Sequence, residues 1–132
     1  METTKQSPKV HIDDLHFEHT AWVKELAFYK EELQFFRARL EEVAMRYTSA
    51  EVLKGIEHFQ NQFYIQSNHL DTLLHDINAH ESNIAEYAEE HPIAVDHVLF
   101  TDHKPLRERV EMHRDLWSSM KKEYQSYLAK WL

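Results

Sequence analysis

Eleven histidines and no cysteine in 132 residues put any metal or acid–base chemistry of this chain on imidazole. Three of the eleven stand out by position. His19, His80 and His113 each fall in a row of residues spaced by seven whose other members are mostly apolar. Three neutral imidazoles converging on one axis make a metal site with a fourth position for water or a ligand. Zinc, iron, copper and nickel all suit such donors, and the sequence does not choose among them. Asp76, one turn before His80, is spaced to orient its ring as a carboxylate behind the ligand. His16, one turn before His19, is spaced to add a ligand at the edge. Two other uses of the same three rings stand beside this one. They can form a hydrogen-bonded polar layer in a core. They can also form an acid-responsive layer, because histidines buried neutral lose stability when protonated.

The elements that must position these side chains follow from the heptads. Ile12, His19, Leu26, Leu33, Leu40 and Tyr47 form one row; Leu15, Trp22, Tyr29, Phe36 and Val43 form the other. Together they predict a first helix over residues 12–47, about 50 Å long at 1.5 Å per residue. Ile56, Phe63, Leu70, Ile77 and Ile84, with Val52, Phe59, Gln66, Leu73, His80 and Tyr87, predict a second over 50–90. The phase breaks between Tyr47 and Ile56, where nine residues stand in place of seven, and Thr48-Ser49-Ala50-Glu51 has capping-box spacing. A reversal is expected there. His91-Pro92 stops the second helix, and residues 92–100 form a connector in which a short helix from Pro92 is plausible. Asp102 is placed to cap a third helix over 102–131, with Val110, Trp117, Tyr124 and Trp131 in one row and Leu106, His113, Met120 and Tyr127 in the other. One glycine and three prolines leave little for strands or long loops. The expected fold is all-α: a single domain, an up-down-up antiparallel bundle of three long helices.

Folding the chain back at these two points stacks the seam into layers. Phe36, Phe63 and Trp131 share one, Leu33, Gln66 and Tyr127 another, with Gln66 and Tyr127 as a hydrogen-bonded pair. Trp22, Ile77 and Trp117 cover one side of the layer of His19, His80 and His113; Leu15, Ile84 and Val110 cover the other. His11, His16, His75, His91, His97 and His103 crowd the same end, as a wider loading surface or simply a solvated face.

Other functions find less support. The formal net charge of −8 disfavours nucleic acid or an anionic membrane as partner. No run is long and apolar enough to span a bilayer, and the N-terminus lacks the apolar stretch of a signal peptide, so a cytoplasmic protein is expected. There is no phosphate loop, nucleophile elbow or HExxH. No histidine is followed four residues later by Glu or His, and the only approach to the paired ExxH motifs of ferritin-like di-iron bundles is Asp13-x-x-His16. Beyond Asp76 no general base accompanies the histidine layer, so an enzyme is the weaker expectation. Phe28 and Phe35, one heptad apart outside the seam, lie level with Tyr64 and Ile65 and suggest a face for self-association or a helical partner. The function expected first is therefore a helical binding or assembly module. The alternatives are a bundle holding one transition metal for sensing, storage or modest redox or hydrolytic chemistry, and an acid-responsive bundle.

Overall fold

The computed structural model describes the backbone of residues 12–90 and 97–132 and the side chains of 13–90 and 101–132. Three helices, α1 (Ile12–Arg46), α2 (Ala50–Glu90) and α3 (His97–Trp131), pack mutually, with no strand among the described residues. Asp13 and Asp14 in the first turn of α1 favour its positive end. Between α1 and α2 only Tyr47, Thr48 and Ser49 are non-helical. The cap of α2 is Ser49 rather than Thr48: its Oγ accepts from the Val52 N–H at 3.4 Å, and its carbonyl takes the first helical bond, from Leu53.

The heptads find their places. All ten seam residues of α2 from Val52 to Ile84, Gln66 and His80 included, are buried. So are Leu15, His19, Trp22, Leu26, Leu33, Phe36, Leu40 and Val43 on α1, and Leu106, Val110, His113, Trp117, Met120 and Tyr124 on α3. Fully burying one such aliphatic or aromatic side chain contributes about 1.5–3 kcal/mol, so the seams drive the association. At Gly55 the backbone of α2 lies against a side chain of α3. A Cβ there would run into the ring of Tyr127, whose hydroxyl donates to the Val52 carbonyl at 2.9 Å.

The third helix differs from expectation at its start and in its register. It begins at His97, not 102, so residues 97–100 are its first turn; the rest of the expected connector, 92–96, lies outside the described residues. Pro105 therefore sits inside α3, about two turns from its start. A shorter link moves α3 along the bundle. Its stopping point is marked by ion pairs with the parallel α1: Glu18 with Arg107, Glu25 with Arg114, and Glu32 with Lys121. Each pair is one heptad beyond the last, the pattern by which flanking charges fix helix register. Phe36 accordingly meets Phe63 and Tyr124, not Trp131, and Trp117 stacks on Tyr29, not beside Trp22. Gln66 and Tyr127 do not pair; the Gln66 Oε1 is buried without a partner. No helix among the described residues is long and apolar enough to cross a membrane.

Candidate metal centre

Each helix delivers one imidazole to a common layer. His19 comes from α1, between Leu15 and Trp22; His80 from α2, between Ile77 and Ile84; His103 from α3, one turn before Leu106. They are 2%, 7% and 0% exposed, and each offers a ring nitrogen within 4.8 Å of the other two. Ring centroids are 4.9 Å apart for His19–His103, 5.1 Å for His19–His80 and 5.5 Å for His80–His103. Trp22 stacks on His103 at 4.9 Å and covers the layer on one side.

Two of the three rings are held from behind by carboxylates. The Nδ1 of His19 lies 2.7 Å from Glu81 Oε1, and the Nε2 of His103 lies 2.6 Å from Glu18 Oε1. The Arg107 guanidinium clamps Glu18 with two bonds of 2.8 Å, and the other oxygen of Glu81 meets His16 Nδ1 at 2.5 Å. Burial works against ionisation of Glu18, but Arg107 and His103 outweigh it and hold the carboxyl below its ordinary range. Burial likewise opposes ionisation of Glu81, and the bonds from His19 and His16 overcome it.

Both carboxylates are therefore acceptors, and the ring nitrogens facing them must donate. A neutral imidazole has one N–H. His19 Nε2 and His103 Nδ1 lie 3.1 Å apart; with both rings neutral and their N–H groups spent outward, each would turn a lone pair to the other, while His80 Nε2 is buried with no partner. In that state a cation between them would satisfy both. A proton is the poorer candidate, because burial pushes His80 and His103 towards their neutral forms. A metal fits the spacing: two nitrogens at 2.0–2.1 Å from a tetrahedral zinc lie about 3.3 Å apart. Outer N–H groups bonded to carboxylates are also how metal-bound histidines are usually oriented.

Of the residues singled out in the sequence, His19 and His80 are brought together and His113 is not. The ten-residue difference in register puts His103 in its place, and His113 lies next to Tyr29 and Trp117. Trp117 therefore does not cover the histidine layer. Asp76 bonds Arg109 at 2.8 Å instead of orienting His80, and His16 is an exposed partner of Glu81. His75 is exposed, and the side chains of His11, His91 and His97 lie outside the described residues. Phe28, Phe35, Tyr64 and Ile65 are all exposed.

The seam itself carried a signal for His103, which lies one heptad before Val110 in the row Val110–Trp117–Tyr124. The register drawn from a start at 102 put His113 in the layer instead. Comparison with models of protein families, with curated proteins and with solved structures finds no match.

Proposed function

We propose that this bundle binds one transition-metal ion through His19, His80 and His103, with Glu81 and Glu18 orienting two of the three rings, and that it serves in metal storage or sensing. The observation that carries the reading is the approach of His19 Nε2 and His103 Nδ1 to 3.1 Å, with the other nitrogen of each ring on a carboxylate, beside the unpartnered His80 Nε2. Neutral imidazole donors suit zinc, copper, nickel or iron. Because the ligands come from three helices, metal occupancy adds directly to the stability of the bundle, which is how a metal level becomes a conformational signal.

The test is elemental analysis of protein purified without an affinity tag, followed by calorimetric titration of each metal into EDTA-stripped protein. One equivalent is expected in the wild type and in His113→Ala, and less than one-tenth of that affinity in His80→Ala and His103→Ala. No bound metal in untagged protein, together with no saturable titration, overturns the reading. Equal loss in His113→Ala overturns the assignment of the third ligand.

A second reading, a module for self-association or for a helical partner, is favoured by the exposure of Phe28, Phe35 and Tyr64, more than half of whose surfaces face solvent. Light scattering on the wild type and on a Phe28→Glu, Phe35→Glu double variant tests it. An unchanged monomer in both removes self-association.

A further inference from the structure

We infer that the cleft over His113, between α2 and α3, is a binding site for a small organic acid with a short apolar body. His113 is 4% exposed, and both of its ring nitrogens are buried without a hydrogen-bond partner. It is the one buried side chain here with two orphaned polar atoms among the described residues. The histidine layer leaves it unused. It opens onto a cleft of about 300 Å³, at the lower end of the size that encloses small ligands. Leu73, Met112 and Leu116 supply apolar walls.

The polarity of the lining selects the ligand. Its ionisable side chains are Arg109, His69 and His113, and none is acidic. Asp76 holds Arg109 at 2.8 Å through a single Nη1, so the guanidinium keeps further N–H donors for a carboxylate. A carboxylate between Arg109 and His113 gives the buried imidazole N–H the acceptor it lacks. An aromatic or branched body then lies on Leu73, Met112 and Leu116. Met112, two-thirds exposed and unbranched, lines the same cleft and can adapt to the shape of that body. The inference stands apart from the metal reading and is tested with metal removed.

The experiment is an amide-proton and nitrogen NMR titration of the full chain in EDTA, with phenylacetate as probe and phenylacetamide as its uncharged counterpart. Phenylacetate is expected to shift resonances of residues 69–73 and 109–116 saturably, with a Kd on the order of millimolar for a ligand of that size. Phenylacetamide is expected to bind about tenfold more weakly or worse, since it forfeits the charge-assisted bond. Arg109→Gln and His113→Leu are each expected to weaken phenylacetate by about tenfold, the pocket having lost a partner in either case. Arg109 is half-exposed, so that variant keeps the test valid should His113→Leu disturb packing. Absence of saturable shifts, which would leave water as the partner of His113, overturns the inference. So does equal affinity for the amide, or insensitivity to Arg109→Gln.

Discussion

Around Phe63 the rings of Phe36, Phe59 and Tyr124 meet with centroids 5.0–6.3 Å apart; around His80 the rings of His19 and His103 meet at 5.1 and 5.5 Å. The helices hold both sets of rings at nearly the same spacing, and burial is nearly as complete in each. What differs is the polar atoms. In the aromatic layer the one hydroxyl, of Tyr124, donates to the Phe36 carbonyl at 2.6 Å, and nothing is left over. In the histidine layer the outer nitrogens of two rings are satisfied by carboxylates while the inner ones face each other or nothing. Bundle geometry sets how close side chains come. Which atoms point inward decides whether a layer contributes stability alone or waits for a ligand.

That contrast makes a first prediction. Truncating Phe63→Ala should lower the unfolding free energy by about 3–5 kcal/mol, the cost of deleting a large buried ring and leaving a cavity. His80→Leu in metal-free protein should cost little or raise stability, because it removes a buried nitrogen that has no partner. Urea denaturation in EDTA compares the two. A His80→Leu loss as large as that of Phe63→Ala would mean the two layers are alike, with His80 satisfied by a contact the contrast does not allow.

Adding metal should reverse the order of dependence. At a free metal concentration a hundred times Kd, a ligand bound only by the folded chain contributes about 2.7 kcal/mol. The wild type should gain that much, Phe63→Ala should gain about the same from its lower starting point, and His103→Ala should gain nothing. Thermal melts with and without each metal measure it. A gain in His103→Ala equal to that of the wild type would place the bound ion elsewhere.

How far the sequence revealed these layers follows from how each signal is generated. The two seam rows supply ten positions in α2 alone, so burial from Val52 to Ile84 was legible. So was the pairing of His19 with His80, because a turn of three residues leaves α1 and α2 almost no room to slide. The third ligand depended on where α3 begins. His91-Pro92 marks a stop clearly, but Asp102 and Pro105 imitate a helix start five residues inside the real one. The information that corrects this was present in the charges. Glu18, Glu25 and Glu32 are spaced by seven, as are Arg107, Arg114 and Lys121, and matching the two sets gives the parallel register of α1 and α3 directly. The carboxylates behind the rings were missed for a different reason. Asp76 lies on the helical face that heptad logic favours, whereas Glu81 and Glu18 flank their seam histidines in sequence and reach rings on neighbouring helices.

Gln66 lies between the two layers along α2 and sharpens the comparison at smaller scale. Its Oε1 is buried without a partner, as in the histidine layer, yet it belongs to no cluster of metal-ligating side chains among the described residues. An isolated orphan of that kind is a defect, not a site. Gln66→Leu should therefore raise the unfolding free energy by about 1 kcal/mol in the presence or absence of metal. A destabilised Gln66→Leu variant in denaturant titrations would show that the amide is satisfied and belongs with the Tyr124 pattern.

The smallest effect concerns acid. Burial lowers the pKa of His80 and of His113; the charge of His69 lowers His113 further, while Glu25 works the other way. A histidine whose folded pKa lies below its unfolded value of about 6.5 leaves stability intact above that value. As pH falls below it, the unfolded chain takes up protons that the folded chain refuses, and stability declines until the folded pKa is reached. Melts of EDTA-treated protein between pH 8 and pH 5 should thus be flat at the alkaline end and fall increasingly below about pH 6.5. His113→Leu should make that fall shallower without abolishing it, because His80 still titrates in the other layer. If His113→Leu leaves the acid limb as steep as before, the imidazole beside Tyr29 and Trp117 is not refusing a proton. The acid sensitivity would then belong to His80 and His103, whose pKa values burial also lowers.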